Sequence, residues 1–309
     1  MNHLDIIGDI HGQYDKLTAL LSALGYRPEA ATWKHPAGRR VVFLGDYIDR
    51  GPRIRDVLHL VRAMMESGDA LAIMGNHEYN AIGYHTPDGK GDYLRPRFRR
   101  NREQHAATVA AFAERPEEWE TWIDWMKGLP FFLDLGGLRA VHAAWHPDAL
   151  PALQGATLRD PAFLKATTVK GTAEFLAVEI LLKGVELPLP ADTTSADKDG
   201  HLRKAIRGRW WENAPEGMNY QELIFPPADT PPPVPVSDTI LQTIPGYETT
   251  EPPAFVGHYW LPATTPRAPL THNVACLDFS AAREGPLVAY RWDGEQTLTA
   301  DKFFTAANP

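Results

Sequence analysis

Polar residues cluster directly after short apolar runs at five places in the chain. The clusters are Gly8-Asp9-Ile10-His11-Gly12, Gly45-Asp46-Tyr47-Ile48-Asp49-Arg50-Gly51, Gly75-Asn76-His77-Glu78, Val141-His142 and Gly257-His258. Their carboxylate and amide oxygens and imidazole nitrogens, without a thiolate, suit Mn²⁺, Fe or Zn²⁺ better than a soft metal. The glycines allow sharp turns that bring the short Asp and Asn side chains close to an ion. The clusters therefore predict a metal site, provided that the fold brings them together.

A strand, a loop and a helix recur in the first part of the chain. Leu4–Ile7 is a predicted strand, and apolar residues between 14 and 24 follow at helical spacing. The unit repeats with Val41–Leu44 and a helical pattern from 54 to 65. Further strands are predicted at Leu71–Met74, Leu138–Val141 and Ala254–Val256. This alternation predicts an α/β fold with a largely parallel sheet covered by helices, in which ligands lie beyond the carboxyl ends of the strands.

The other segments carry weaker patterns. Trp119, Trp122 and Trp125 recur at helical spacing and are predicted to pack on the core rather than to stack on bases. Residues from about 155 to 250 lack a clear periodicity and contain six prolines between 226 and 235, which predicts an insertion or cap beside the site. In the tail, strands over 276–279 and 287–290 around a Gly-Pro break predict a closing β-hairpin.

Composition restricts the class of protein. A length of 309 residues fits one large α/β domain, or a domain with an insertion. The formal net charge of −8 disfavours nonspecific binding to nucleic acid or to an anionic membrane. Cys276 is the only cysteine, and its apolar setting favours a core residue over a nucleophile. With no apolar run near the ~18 residues of a membrane span, we expect a soluble, cytoplasmic protein.

The ordered motifs resemble those of a known family. The runs GDIHG, GDYIDRG and GNHE, followed by two isolated histidines, are similar to the calcineurin-like metallophosphoesterase superfamily. Arg50 directly after Asp49 resembles its phosphoprotein-phosphatase branch, which includes serine/threonine phosphatases, bacteriophage-lambda-type phosphatases and symmetrical diadenosine tetraphosphatases. The resemblance extends from Asp9 to His258. It implies a four-layer α/β/β/α sandwich, as a single domain over residues 1–309 with a cap-like insertion at about 155–250.

The resemblance also implies roles for individual residues. Asp9 and His11 would bind one divalent ion, the trio Asn76, His142 and His258 a second, and Asp46 both. Mn²⁺ is the first expectation for the two ions, with Fe or Zn²⁺ as alternatives. A hydroxide bridging the ions would attack phosphorus, because two close cations lower the pKa of a shared water. His77 would act as the general acid oriented by Asp49, and Arg50 would bind phosphate oxygens.

Other residues near the motifs have less certain roles. Glu78 is either a partner of a metal-binding histidine or a carboxylate at a helix N-terminus. In the predicted cap, Arg207 and Arg209 are both candidates for a second phosphate-binding arginine, and their spacing does not choose between them. The other histidines that match no family position are interpreted as surface or structural residues: His85, His105, His146, His201 and His272.

Three functions remain open at this point. The first is hydrolysis of phosphomonoesters, with phosphoserine and phosphothreonine in proteins among the candidate substrates. The alternative is a hydrolase of dinucleoside polyphosphates such as diadenosine tetraphosphate, for which Trp210-Trp211 beside arginines would suit a nucleotide, although two adjacent side chains cannot both face one ligand. A scaffold that binds phosphorylated partners without catalysis is disfavoured, because every implied ligand and the implied acid are present.

Overall fold

The computed structural model describes residues 3–196, 202–214, 216–228 and 231–306. The strands in these residues are β1 (Leu4–Ile7), β2 (Arg27–Glu29), β3 (Thr32–Lys34), β4 (Arg40–Phe43), β5 (Ala70–Ala72), β6 (Phe132–Asp134), β7 (Arg139–Val141), β8 (Glu186–Pro188), β9 (Ser195–Ala196), β10 (Leu202–Arg203), β11 (Ala205–Arg207), β12 (Ala254–Val256), β13 (Val274–Cys276), β14 (Val288–Trp292) and β15 (Phe303–Thr305). The helices are α1 (Tyr14–Ala23), α2 (Ile54–Glu66), α3 (Asn76–His85), α4 (Arg99–Ala111), α5 (Pro116–Lys127), α6 (Leu150–Leu153), α7 (Pro161–Ala166), α8 (Ala173–Lys183), α9 (Tyr220–Leu223) and α10 (Asp238–Leu241), with a 3₁₀ turn at Ala300–Lys302.

The larger sheet carries the first three polar clusters. Its strand order is β15-β14-β1-β4-β5, and β1, β4 and β5 run parallel to one another. The strands β1 and β4 are almost wholly buried, as expected for apolar strands covered on both faces. Helices α1 and α2 follow β1 and β4 and pack against each other, and α2 also packs on β5. The predicted strand-loop-helix units are confirmed, and each returns the chain to the same edge of the sheet.

The smaller sheet carries the last two clusters. Its order is β13-β12-β7-β6, with β7, β12 and β13 parallel and β6 antiparallel to β7. The two sheets face each other, since the Phe255 ring of β12 lies 5.1 Å from the Tyr290 ring of β14. On the other side of the smaller sheet, Ala143 N–H donates to the Leu181 carbonyl of α8 over 2.8 Å. The predicted mixed α/β architecture is confirmed, although β14 in the larger sheet and β6 in the smaller one run antiparallel to their neighbours.

The predicted C-terminal hairpin is wrong. Strand β13 pairs in parallel with β12 in the smaller sheet, whereas β14 pairs with β1 and β15 in the larger one. The hairpin that does form joins β14 to β15, with Val288 opposite Thr305. The residues of β13 are all buried and those of β14 nearly so, and an isolated two-stranded hairpin would leave such apolar strands in water.

The tryptophans of α5 and the adjacent pair Trp210-Trp211 lie in the core. On α5, Trp119 and Trp122 are buried and Trp125 is half-buried, which confirms the predicted packing role. Trp210 and Trp211 are also buried, with edge-to-face rings 5.6 Å apart. Neither can stack on a nucleotide, so the structure contradicts the interpretation that this pair suits a nucleotide. Cys276 is buried in β13, as predicted.

The segment from about 155 to 250 is more regular than its sequence indicates. It contains α7 to α10 and two small antiparallel sheets, β8 with β11 and β9 with β10. The Trp211 ring and the Phe225 ring contact Tyr259, the residue after His258. This segment therefore borders the edge where the last cluster lies. Among the residues that the structure describes, no helix has the length and apolar character to cross a membrane.

Candidate metal centre and active site

The turns that follow the strands adopt an uncommon backbone conformation. His11, Asp46, Asp49, Arg50 and His258 all have positive φ, between 46° and 70°. Such residues are costly outside glycine, and clusters of them mark sites whose geometry the surrounding fold imposes. Gly75 is required for close packing, since a Cβ there would lie 2.2 Å from Asp46 Oδ1. The strained turns thus direct these side chains toward one region.

The side chains implied for the first ion are Asp9, His11 and Asp46, all buried. Asp9 also belongs to a set with Asp46 and His142 in which candidate ligand atoms lie within 4.8 Å of one another. Asp46 Oδ2 lies 3.4 Å from His11 Nε2. His11 Nδ1 donates to the Ile48 carbonyl over 2.9 Å, and because a carbonyl only accepts, this bond leaves the lone pair on Nε2. Asp9 accepts the His258 backbone N–H at 3.0 Å, which joins the first cluster to the last.

The second group contains Asn76, His142 and His258. Asn76 Oδ1 lies 3.0 Å from His142 Nε2 and 2.7 Å from His258 Nδ1. His142 Nδ1 donates to the Leu44 carbonyl over 2.7 Å, so its Nε2 faces the centre, 3.4 Å from Asp46 Oδ1. Asp46 therefore presents one oxygen to each group, which is the arrangement expected of a bridging ligand.

These residues fit divalent cations. His11 Nε2 and His258 Nε2 are buried and have no hydrogen-bond partner among the described residues. Burial together with the charges of Asp278 and Asp46 raises the pKa of Asp9 well above its usual range. A cation bound among these carboxylates would reduce their mutual repulsion. Although burial lowers the pKa of His142, the neighbouring Asp46 carboxylate raises it to about 10, so this position favours positive charge. Oxygen and imidazole donors suit the expected metals.

The proposed acid lies beside the candidate metal ligands. His77 Nδ1 is 2.5 Å from Asp49 Oδ2, and His77 Nε2 is 3.9 Å from Asp46 Oδ2. The His77 ring stands edge-on to the His11 ring at 4.6 Å. An Nδ1 donor bond to Asp49 fixes the ring so that Nε2 faces the space in front of the ligands. This is the position from which a proton can reach a leaving oxygen.

Arg50 and Trp260 lie next to that nitrogen. Arg50 is exposed, and its Nη2 lies 3.4 Å from His77 Nε2. Its guanidinium stacks 3.8 Å above the centre of the Trp260 ring, and the exposed Arg283 guanidinium lies 5.5 Å from the same ring. Stacking holds a guanidinium by its face and leaves its N–H edge available to an anion. Sequence reasoning missed Trp260, although it lies two residues after a candidate ligand.

The two cap arginines differ in their surroundings. After burial, the charge of Arg207 is the largest cause that lowers the pKa of His258, which places Arg207 near the metal ligands. Its Nε donates to the Lys183 carbonyl over 2.9 Å. The Arg209 guanidinium instead lies 3.9 Å from Glu212. Arg207 is therefore the cap arginine with an electrostatic effect on a candidate ligand, and Arg209 has an acidic partner within the cap. His201 lies outside the described residues.

Glu78 acts through the backbone. One carboxylate oxygen accepts the N–H groups of Asp46 and Gly75 at 2.8 and 3.0 Å, and the other accepts those of Tyr47 and Ile48 at 2.8 and 3.3 Å. The side chain is fully buried at the start of α3. It therefore ties the loop that carries Asp46 to the turn that carries Asn76 through four backbone N–H groups.

A second histidine reaches Asp49. His105 on α4 is buried, and its Nδ1 lies 2.7 Å from Asp49 Oδ1. Thr108 Oγ1 donates to the same oxygen over 2.5 Å, and His105 Nε2 lies 3.1 Å from His85 Nε2. Burial excludes the surface part of the interpretation of His105 as a surface or structural residue, and the contact with Asp49 shows which group of the candidate dyad it meets. The helical spacing of 105 and 108 was visible in the sequence, but nothing there showed which residue this face meets.

His85 should make stability depend on pH. Burial, together with the charges of His105 and Arg97, lowers its pKa to about 4, although Asp49 opposes the shift. An unfolded histidine has a pKa of about 6.5, so between pH 6.5 and 4 the unfolded chain binds more protons. The contribution of His85 to the free energy of unfolding is therefore fully present above pH 6.5. It decreases as the pH falls from about 6.5 to about 4.

Replacing His85 with glutamine should therefore flatten the pH dependence of the free energy of unfolding. Urea denaturation at pH 7 and pH 5 measures it: the wild-type protein should lose more stability between the two values than His85→Gln. His59, an exposed histidine, provides the control His59→Gln, which should behave like the wild type. Equal losses in wild type and His85→Gln would contradict the prediction.

Comparisons with known proteins agree with the site. The sequence profile of the family described as calcineurin-like phosphoesterase matches residues 3–162. The asymmetrical bis(5'-nucleosyl)-tetraphosphatases PrpE of Halalkalibacterium halodurans and Bacillus subtilis are each 45% identical over 73 residues. These matches span 24% of this chain and only 30% of the relatives' length.

The solved structures to which this chain is similar are more distant in sequence. A cold-active protein-tyrosine phosphatase of a psychrophilic Shewanella species is 19% identical, with a TM-score of 0.48 over 99% of this chain and 81% of that one. A metallophosphoesterase from Sphaerobacter thermophilus is 15% identical, with a TM-score of 0.44 over 100% and 89%. The family profile covers more than half of the chain and includes the first four polar clusters, so the chain belongs to the calcineurin-like phosphoesterase family.

Proposed function

We propose that this chain is a metal-dependent phosphatase that hydrolyses phosphomonoesters, with two divalent cations held by Asp9, His11, Asp46 and by the Asn76, His142 and His258 group. Mn²⁺ is the first candidate, and Fe or Zn²⁺ are alternatives. The observation that carries the proposal is that both oxygens of Asp46 face opposed imidazoles at 3.4 Å while His77 stands beside them. A ligand set of this kind adjacent to an oriented acid is arranged for hydrolysis.

Each of these residues has a separate role in the proposed reaction. When bound, the cations supply an acidified water and neutralise charge on the phosphate oxygens. Arg50, exposed and stacked on Trp260, binds further phosphate oxygens with its N–H edge. His77, held through Nδ1 by Asp49, gives its Nε2 proton to the leaving oxygen. Arg207 is a second phosphate-binding candidate because of its position near His258.

A second candidate function is hydrolysis of dinucleoside tetraphosphates. The guanidinium groups of Arg50 and Arg283 both lie within 5.5 Å of the Trp260 ring, a cationic and aromatic surface at the mouth of the site. Such a surface can bind additional phosphates or a nucleotide base. Binding a single phosphomonoester does not require it. The names of the matched relatives support the same alternative. Phosphoserine and phosphothreonine in proteins remain candidate monoester substrates.

A substrate panel distinguishes these functions. With the Mn²⁺-loaded protein, kcat/KM is compared for an aryl phosphate, a phosphoserine peptide and diadenosine tetraphosphate, with Asp9→Asn as the inactive control. Preference for the monoesters supports the leading proposal. A preference of orders of magnitude for diadenosine tetraphosphate supports the second, and the products then separate symmetrical cleavage to ADP from asymmetrical cleavage to AMP and ATP. If no metal-dependent turnover above the control is observed with any substrate, both proposals fail.

A further inference from the structure

Asp49 divides its two oxygens between different partners. Oδ2 lies 2.5 Å from His77 Nδ1, whereas Oδ1 lies 2.7 Å from His105 Nδ1 and 2.5 Å from Thr108 Oγ1. The Asp49 backbone N–H also donates to Thr108 Oγ1 over 3.0 Å. The carboxylate is thus fixed from both ends, and one whole oxygen is occupied by groups that the proposed reaction does not use.

Both partners of Oδ1 come from one face of α4. His105 and Thr108 are three residues apart, so their side chains project from adjacent turns on the same side of the helix. They are the only residues of α4 that are fully buried, although most of this helix is exposed. This helix is mostly polar, and its buried face presents a histidine and a threonine to a carboxylate. Polar contact with Asp49, rather than apolar burial, therefore accounts for the buried face.

The contacts also define the state of the carboxylate. Burial by itself raises the pKa of Asp49, but the hydrogen bonds from His105 and His77 outweigh it and hold the pKa well below its usual range. Asp49 is therefore an anion whose Oδ2 can only accept, so His77 Nδ1 must donate. Without donors on Oδ1, the carboxylate could rotate about its Cβ–Cγ bond and exchange the oxygen that His77 meets.

We propose that His105, together with Thr108, is a positioning residue that fixes the rotation of the Asp49 carboxylate and thereby the direction of His77 Nε2. This inference rests on the proposed function, since it concerns the orientation of the proposed acid. Among the described residues, the polar side-chain contacts of His105 are Asp49 and His85, and neither is a candidate metal ligand. Its effect on turnover must therefore pass through Asp49 and His77.

Three variants separate positioning from support of the fold. His105→Leu removes the donor to Asp49, whereas His105→Asn can place an amide N–H where Nδ1 lies. Thr108→Val removes the second donor with little change in shape, which keeps a test available if His105→Leu does not fold. His59→Gln is the control, because His59 is exposed and its imidazole lies beside Glu118 at 3.2 Å.

The readout is the dependence of kcat on the leaving group. A poor alkyl leaving group needs the acid, whereas an activated aryl group does not. A misdirected His77 should therefore lower kcat only for the alkyl phosphate. His105→Leu and Thr108→Val should lower kcat for an alkyl phosphate by about tenfold or more, part of the roughly 10²–10⁴ that an oriented acid supplies. The same variants should leave the aryl phosphate nearly unchanged, with unaltered KM and bound metal, and His105→Asn should recover most of the loss.

Two results would overturn the inference. One is an equal loss for the alkyl and the aryl phosphate, which indicates a structural role only. The other is wild-type turnover of both substrates in His105→Leu and Thr108→Val. A wild-type protein that hydrolyses neither phosphate would instead refute the proposed phosphomonoesterase, and no comparison between leaving groups would then arise.

Discussion

Replacing His77 with asparagine is expected to lower kcat/KM for an alkyl phosphate by about 10²–10⁴-fold, the range that general acid catalysis supplies. An activated aryl phosphate should lose far less, because its leaving group departs without a proton. The structural reason is that His77 Nε2 faces the site while Nδ1 is held by Asp49 at 2.5 Å. Asparagine keeps a group that can bond to Asp49 but carries no titratable proton at the position of Nε2.

Steady-state kinetics with a series of phosphates of increasing leaving-group pKa measures this effect. Bound metal, determined on the same preparations, should stay at the wild-type value, because the ligand assignment does not include His77. His77 nevertheless lies with His11 and Asp46 in a group of side chains whose atoms could share one ion. A loss of bound metal in His77→Asn, with equal losses for alkyl and aryl substrates, would make His77 a ligand and remove the acid assignment.

The sequence was most informative where a candidate ligand residue follows directly after a strand. Asp9, Asp46 and Asn76 come just after β1, β4 and β5, which are parallel neighbours, so their convergence follows from topology that periodicity predicts. His142 and His258 follow β7 and β12 in the same way, but in the other sheet. That the two sheets meet at this edge could not be inferred from periodicity, and it came only from the resemblance.

Partners that approach from helices could not be predicted. His105 lies in α4, 56 residues after Asp49, and a helical pattern does not specify which element its polar face meets. The error in the tail has a related cause: alternation identified the strands 274–276 and 288–292 approximately, but strands close in sequence can pair with strands that are distant. Burial of Trp210 and Trp211 likewise depends on contacts with Tyr247 and Phe225 that no local pattern encodes.

Replacing Asp46 with asparagine is expected to remove most bound metal and to reduce turnover of every phosphate by roughly 10³-fold, equivalent to about 4 kcal/mol of transition-state stabilisation. Asp46 faces both ligand groups, with its two oxygens 3.4 Å from His11 Nε2 and from His142 Nε2. An amide keeps the shape but offers one neutral oxygen, so at least one group loses an anionic ligand. Unlike the His77 variant, this one should affect alkyl and aryl substrates alike.

Metal content and thermal unfolding with and without Mn²⁺ measure the loss. A cation that binds the folded state raises the melting temperature of the wild type, and this rise should disappear in Asp46→Asn. Asp5→Asn is the matched control: Asp5 is equally buried, but its oxygens accept from the Arg39 and Arg291 guanidinium groups at 3.1 and 2.9 Å, so no candidate ligand atom is lost. If Asp46→Asn retained both ions and a wild-type response to Mn²⁺, the two ligand groups would have to bind without a bridge, and the proposed centre would be wrong in its central residue.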